Sequence, residues 1–246
     1  MRHSRWQILL GLSLIALSAV VYLIHYFIFR DAHHIFIYMV GDIAFVFFEV
    51  LLVTLIIHRL LSEREKRSRL EKLNMVIGTF FSEVGTRLIT YFSDFDPKLD
   101  KIKDELKIKG DWTDRDFDRV SKRLKQYGYQ VDFADLDRQG LKDFLMRKRD
   151  FLLRLLENPN LLEHETFTEL LRAVFHLTEE LHKREDVNRL PQSDSEHLSG
   201  DLKRVYVLLV QEWWDYMRYL KDNYPYLYSL AIRTNPFDEE ASPIVS

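Results

Sequence analysis

Two carboxylic acids interrupt an apolar stretch near the N-terminus, and their chemistry is the most specific in the chain. Asp42 and Glu49 lie within the apolar run 35–57. Placing a charged side chain at the centre of a bilayer costs about 2.5–3.5 kcal/mol, so such residues usually face a protein interior or an aqueous path. Seven residues apart on an α-helix, the two acids share one face and lie about 10.5 Å apart along the axis. They are the candidate functional site.

This pair of acids is open to two interpretations. In the first, several copies of the second apolar helix surround an axis, and rings of acids attract cations or exchange protons, as charged rings do in cation channels. Tyr22 and His25 of the preceding helix would lie at or near the depth of Asp42 in an antiparallel hairpin and would support the site. In the second interpretation, the acids form hydrogen bonds across the helix pair and only organise how the hairpins assemble.

The elements that must position these acids are two apolar runs, 6–29 and 35–57. Each exceeds the about 20 residues that a helix needs to cross the hydrocarbon core of a bilayer. The first run contains no Asp, Glu, Lys or Arg and is longer than the apolar core of a signal peptide, which favours an uncleaved anchor. The sequence therefore predicts a transmembrane hairpin over residues 1–58, with a short turn between its spans.

Basic residues flank this hairpin mainly on one side of the predicted membrane. Arg2 and Arg5 precede the first span, and the turn carries only Arg30. The second span is followed by a basic cluster made of Arg59, Arg64, Lys66, Arg67, Arg69 and Lys72. Because Lys and Arg are enriched in cytoplasmic flanks, we expect a multi-pass protein of the inner (cytoplasmic) membrane with both termini in the cytoplasm.

Composition limits the partners of the larger C-terminal part. The chain has no cysteine, which agrees with a cytosolic main domain that needs no oxidation or thiolate chemistry. The 35 Lys and Arg residues are balanced by 38 Asp and Glu residues, for a net charge of −3. This balance argues against nucleic acid as a partner. The lipid bilayer, further copies of the chain and a cytosolic protein are the partners that we expect.

Residues 59–234 show helical periodicity throughout and predict a stalk followed by a cytosolic helical bundle. No Gly or Pro lies between Gly41 and Gly78, so the second span is expected to run on through the charged stretch 62–69 as a solvated helix. Capping boxes are predicted at Thr113 with Asp116, at Thr166 with Glu169 and at the helix opened by Ser193. The sequence shows no alternating strand pattern, so the predicted fold class is all-α. The tail 235–246 lacks periodicity and is predicted to be disordered.

Small residues form a strip in the apolar half of the stalk. Gly78, Ser82 and Gly85 follow one another at spacings of four and three. Such a strip permits close approach of another helix. It is either a seam between copies of the chain or a place where a bulky side chain of the same domain is received.

No catalytic, metal or cofactor site is predicted. The chain lacks a Gly-rich phosphate loop, a Gly-x-Ser-x-Gly motif and a His-Glu-x-x-His motif. Glu179 and His182 form a single Glu-x-x-His pattern, whereas di-iron bundles need two copies and two further Glu residues. His176 is read as a residue at the boundary between core and solvent. Enzymatic activity is therefore not expected.

The segments 31–38 and 223–230, DAHHIFIY and NYPYLYSL, resemble a prokaryotic family of uncharacterised two-span membrane proteins. The resemblance covers most of the chain and implies a hairpin followed by a helical cytosolic domain, without implying an activity. We expect a homo-oligomeric channel or proton-coupled module centred on Asp42 and Glu49. The alternative is a membrane-anchored interaction or sensing module whose bundle recruits a cytosolic partner.

Overall fold

The computed structural model describes residues 2–159, 161 and 164–244, and within these ranges it is helical and contains no β-strand. The all-α prediction is therefore confirmed at the level of fold class. The chain divides into two compact units, Met1–Arg67 and Ser68–Ser246. The division falls inside one long helix.

The first unit consists of helix α1, Arg2–Phe29, and the first part of helix α2, Ala32–Phe80. Arg30 ends α1 with a left-handed backbone, φ 49°, and its N–H donates to the Tyr26 carbonyl at 2.8 Å. Asp31 then accepts a hydrogen bond from the N–H of His34 at 3.1 Å, which satisfies a free donor at the start of α2. Both helices contain a stretch that is long and apolar enough, by length and composition, to cross a bilayer.

Helix α2 continues without a break to Phe80 because no Gly or Pro lies between Gly41 and Gly78. This agrees with the prediction that the second apolar helix runs on through the charged stretch 62–69. A π-helical turn, Phe81–Gly85, follows, and helix α3, Thr86–Ser93, ends where Asp94 begins a turn. The rings of Phe80 and Phe81 lie over Gly85, so the wider π turn fits where the backbone carries no side chain.

The rest of the second unit packs around one long helix. Its further elements are the 3-10 turn Leu99–Lys101 and the helices α4 Lys103–Leu106, α5 Asp114–Gln126, α6 Arg138–Leu156, α7 Glu165–Lys183, α8 Gln192–Asn223 and α9 Pro225–Arg233. Helix α8 contacts α3, α5, α7 and α9, and α6 covers the other side of α7. The core is rich in aromatic rings: Phe80 packs edge-on against Phe167, and the buried Trp214 donates its indole N–H to the Phe117 carbonyl at 3.1 Å.

One of the three predicted helix starts is confirmed and two are wrong. Thr113 and Asp116 form the predicted capping box at the start of α5. At α7 the cap is instead His164, whose Nδ1 accepts the N–H of Phe167 at 3.2 Å. Helix α8 begins at Gln192 after Pro191 without a side-chain cap. The Thr166 and Ser193 predictions were wrong because neither helix begins with one of the usual capping residues for which the pattern searches.

The predicted disorder from residue 235 onward is wrong at its beginning. Asn235 is buried and its side-chain amide donates to the Leu106 carbonyl at 2.8 Å. Phe237 is buried edge-on against Trp213, with 5.3 Å between ring centroids. A single buried aromatic residue after a helix leaves no periodic pattern, so this contact was not predictable from the sequence.

Candidate functional site

Asp42 and Glu49 lie on α2 with their side chains exposed, surrounded along the helix by apolar side chains that are also exposed. Among residues 2–159, 161 and 164–244, neither acid has a hydrogen-bond or ion-pair partner. The arrangement in which these acids form hydrogen bonds across their own hairpin is therefore not present in the described part of a single chain. The intact α2 does place both acids on one face, as the spacing predicted.

The structure brings Tyr22 and His25 together near the turn of the first unit. They line a small cavity of about 170 Å³ together with Val21, Ile35 and Tyr38. The ring of His25 stacks on that of His34 at 5.9 Å, and its Nδ1 is buried without a hydrogen-bond partner in the described chain. Neither Tyr22 nor His25 forms a hydrogen bond or ion pair with the two acids within those ranges, so a single chain does not show the predicted support for Asp42.

The strip of small residues is used within the second unit at two of its three positions. A Cβ atom at Gly78 would overlap the hydroxyl of Tyr216, and one at Gly85 would press on the rings of Phe80 and Phe81. These contacts favour the alternative in which the strip receives bulky side chains of the same domain. Ser82 is exposed and lines an apolar groove of about 560 Å³ between α2, α8 and α9.

A buried acid of the second unit was missed by the sequence analysis. The side chain of Glu212 is 5% exposed, and its Oε2 accepts a hydrogen bond from the Thr166 hydroxyl at 2.9 Å. Burial raises the pKa of Glu212 to about 7, although the Thr166 hydrogen bond acts in the opposite direction. His164 Nε2 lies 3.8 Å from the other carboxylate oxygen. The acid lines a cavity of about 270 Å³ whose other walls include Lys125 and Asp215.

The only signal for this site in the sequence was an acid within the apolar stripe of α8, directly before Trp213 and Trp214. A glutamate at that position is normally taken as part of the solvated face. Only the packing of α7 against α8 shows that it is covered and that Thr166 contacts it.

A second polar cluster that the sequence analysis did not predict joins α7 to α8. His176, which was read as a boundary residue, contacts Asp201 of α8. His197 of α8 contacts the same carboxylate and also Glu180 of α7. Glu179 and His182, which form the single Glu-x-x-His pattern, are not part of these contacts.

Fold and sites together define a class of two-part, all-helical protein, in which an apolar helical N-terminal unit precedes a larger helical domain. Two family models reproduce this division. The one described as "MJ1433, N-terminal helical domain" matches residues 2–61, and the one described as "Uncharacterized protein MJ1433, C-terminal helical domain" matches residues 69–233.

The chain belongs to the MJ1433 family. It is 49% identical over 241 residues to the protein named "Uncharacterized protein MJ1433" from Methanocaldococcus jannaschii. The aligned region covers 98% of this chain and 97% of that protein. No solved structure matches the chain. The membership agrees with the predicted resemblance to an uncharacterised prokaryotic family, whereas the membrane layout that the resemblance implied belongs to the proposal below.

Proposed function

We propose that this protein is a homo-oligomer embedded in the inner membrane through residues 6–29 and 35–57, with both termini in the cytoplasm. In the assembly, the second spans surround a common axis that Asp42 and Glu49 face. The two acids of each copy then form rings that bind and pass cations or protons. Tyr22 and His25 flank the site from the first span.

The observation that carries this proposal is the lack of a partner for either acid within the described chain. An acid in the middle of an apolar helix is costly when it faces lipid, and the cost falls when it faces water or other polar groups. Since the described part of one hairpin offers neither acid a bond, further copies of α2 are the simplest source of a polar environment. A helix that continues unbroken through both positions keeps the two acids on the face that would line the axis.

The exposure of the first unit adds independent support. Large apolar side chains of α1 and of the first half of α2 are exposed along nearly their whole length, including Trp6, Ile15, Phe27, Phe36, Phe47 and Leu55. A water-soluble protein rarely exposes a contiguous apolar surface of this extent. Lipid on the outside and neighbouring copies at the axis would cover it.

Flux through liposomes tests this function. The full chain reconstituted in liposomes should pass protons or small cations, and the double variant Asp42→Asn with Glu49→Gln should reduce that flux at least about tenfold, because the rings lose their charge. Glu63→Gln is the matched control, since Glu63 is an exposed acid of the same helix outside the proposed span.

Three results would decide against conduction. Wild-type liposomes without flux at several pH values and voltages would overturn it, as would equal flux from the wild type and the double variant. A double variant that forms fewer oligomers, with an unchanged flux through each oligomer that does form, would show that the acids only assemble the hairpins.

The apolar groove of the second unit favours a second candidate function, a membrane-anchored module that recruits a cytosolic protein. Leu227 and Leu230 of α9 and Met75 of α2 line this groove and are exposed. Under this function, Leu227→Lys with Leu230→Lys should abolish capture of a specific partner by the full chain. Leu153→Lys is the matched control, because Leu153 is a partly exposed leucine outside the groove. Capture that survives the groove variant would contradict this function.

A further inference from the structure

Helices α7 and α8 carry the same short pattern, a histidine followed four residues later by a carboxylate. On α7 the pair is His176 and Glu180, and on α8 it is His197 and Asp201. Residues four apart lie on the same face of an α-helix, one turn above the other. Because α7 packs directly against α8, the two pairs face each other across the helix interface.

The four side chains form a closed ring of contacts. Asp201 Oδ2 lies 3.3 Å from His176 Nε2 and 3.6 Å from His197 Nε2. On the other side of the ring, Glu180 Oε1 lies 3.9 Å from His176 Nε2, and Glu180 Oε2 lies 3.8 Å from His197 Nε2. Both histidines thus present the same ring nitrogen to both carboxylates.

Asp201 is the buried member of this ring. Its side chain is 6% exposed, and its Oδ2 accepts no hydrogen bond from any residue that the structure describes. The other oxygen, Oδ1, lies 3.5 Å from the Arg204 guanidinium. A buried carboxylate oxygen without a hydrogen bond is costly, and a cation held between the two imidazoles would satisfy it. The histidines are about half exposed, which leaves a path from solvent.

Four of the distances between these atoms are close to the edges of a tetrahedral metal site. Zn²⁺ binds imidazole nitrogen and carboxylate oxygen at about 2.0–2.2 Å, so neighbouring ligand atoms of a tetrahedron lie about 3.3–3.6 Å apart. The two Asp201 contacts fall within that interval, and the two Glu180 contacts, which are made by different oxygens, exceed it by about 0.2–0.3 Å. Among the residues that the structure describes, no three such side chains converge on one point. Binding of a metal ion would therefore require rotations of Glu180 and of the two exposed histidines.

Arg184 prepares Glu180 for this role. Its guanidinium donates to Glu180 Oε2 at 2.7 Å and to Asp194 at the start of α8, also at 2.7 Å. The hydrogen bond to Arg184 lowers the pKa of Glu180, which keeps this carboxylate ionised. Carboxylates that bind a metal are commonly held by such an outer partner. Oε1 remains directed to His176.

We propose that His176, Glu180, His197 and Asp201 form a binding site for a divalent transition-metal ion, with Zn²⁺ the best fit to two imidazoles and two carboxylates. Four protein ligands leave no open position, so the site is structural and clamps α7 onto α8. It is independent of conduction by the first unit. It revises the expectation from the sequence that the chain has no metal site.

Zinc titration of the full chain in detergent tests the site. After treatment with a chelator, isothermal titration calorimetry with ZnCl₂ should show one ion bound per chain at pH 7.5. The double variant His176→Gln with His197→Gln should weaken binding about a hundredfold or more, because both nitrogen ligands are lost. His182→Gln is the matched control, since His182 is an exposed histidine of the same helix outside the ring, and its affinity should equal that of the wild type.

The pH dependence of zinc affinity and the effect of zinc on thermal unfolding distinguish a metal site from ion pairs between the histidines and the carboxylates. Metal ligands must be deprotonated, so zinc affinity should fall as the pH is lowered from 7.5, with protons released on binding. Zinc should also raise the unfolding temperature of the wild type and leave that of the double variant unchanged. Stability that depends on the ring histidines but not on zinc would overturn the site in favour of ion pairs alone.

Two further outcomes are informative. Equal loss of affinity in His182→Gln and in the double variant would overturn the site, because it indicates binding to scattered surface histidines. Where the double variant does not fold, His197→Gln alone replaces it, since this half-exposed side chain leaves the core intact. Unchanged zinc affinity in that single variant would equally overturn the site.

Discussion

The two ends of helix α2 contain the same apolar residue types in opposite surroundings. Phe47, in the first unit, is 75% exposed, whereas Phe80, in the second, is fully buried against Phe167. Both lie in a helix that is continuous from Ala32 to Phe80. Helical periodicity and apolar composition alone therefore do not define a core. The second unit buries most of its apolar side chains, whereas those of the first unit are exposed, and under the proposed function lipid and other copies cover them.

The acids of the two units also differ in whether they are buried and have a hydrogen-bond partner. Glu212 is buried within its own domain and has the Thr166 hydroxyl as a partner. Asp42 and Glu49 have no hydrogen-bond or ion-pair partner within the described residues, and the proposed function places their partners in other copies of the chain.

Separating the two units should have an all-or-none effect on solubility. The fragment 68–246 should remain helical and monodisperse in water without detergent, because its apolar side chains are buried. The segment 1–67, fused to a soluble carrier, should take that carrier quantitatively into the membrane fraction. Circular dichroism, size-exclusion chromatography and membrane fractionation measure both results. A fragment 68–246 that aggregates, or a fusion that stays in the soluble fraction, would remove the contrast.

Phenylalanine truncation should distinguish the two halves of α2 by stability. Phe80→Ala should lower the free energy of unfolding of the helical domain by about 3–5 kcal/mol, since it opens a cavity beside Phe167. Phe47→Ala should change that free energy by less than about 0.5 kcal/mol. Denaturant unfolding of the full chain in detergent, followed by tryptophan fluorescence, compares them. Similar losses in the two variants would show that the first unit contributes to the core.

The buried acid Glu212 should make the stability of the domain depend on pH. A pKa raised from 4.5 to about 7 means that the folded state keeps its proton to a higher pH than the unfolded state. The stability that comes from keeping this proton in the folded state is therefore fully present below about pH 4.5. It is lost as the pH rises to about 7, and the free energy of unfolding falls by an amount on the order of 3 kcal/mol.

Replacing that acid should isolate its contribution. Glu212→Gln keeps an acceptor for Thr166 but cannot ionise, so the difference in unfolding free energy between wild type and variant should change across this pH interval. Burial lowers the pKa of the neighbouring His164, whose contribution to stability is lost as the pH falls, and taking the difference between the two proteins reduces its influence. Asp150→Asn, at an exposed position of α6, should leave the pH profile parallel to the wild type. A parallel profile for Glu212→Gln would contradict the burial of this acid.

Two glycines of α2 should respond differently to replacement by alanine. Gly78→Ala should destabilise the domain by about 1–2 kcal/mol, because the clash with Tyr216 exceeds the gain of about 1 kcal/mol in helix propensity. The methyl group added by Gly41→Ala would have no atom within 4 Å, so this variant should leave the unfolding temperature of the helical domain unchanged. Thermal unfolding measures both, and Tyr216→Phe should relieve the Gly78→Ala defect by removing the hydroxyl. If Gly78→Ala were as stable as the wild type, the Tyr216 hydroxyl would not be in contact with Gly78.

Elements of this fold were predictable where the signal is local. The length of α2 followed from the absence of Gly and Pro between Gly41 and Gly78, and the Thr113 capping box followed from residues three apart. The start of α7 and the burial of Phe237 were not predictable. The cap of α7 is a histidine, which is not one of the usual capping residues. Phe237 is buried by its contact with Trp213 of α8, and no local pattern records such a contact.

The candidate sites divide in the same way. The spacing of Asp42 and Glu49 was sufficient to place them on one face of one helix, since a continuous α-helix repeats every 3.6 residues. The surroundings of Glu212 were not accessible from its neighbours in sequence, because Thr166 reaches it from another helix. His176 and His197 likewise required the packing of α7 on α8 to meet at Asp201.

Hydrophobic period and helix breakers act within a few turns of chain, and they were enough to predict the all-helical class, the two apolar runs and the shared face of their acids. Which acids and histidines are buried, and which groups they contact, followed from the packing of the helices. Burial and side-chain pairing arise when helices far apart in sequence pack together, and desolvation then changes the chemistry of the groups between them.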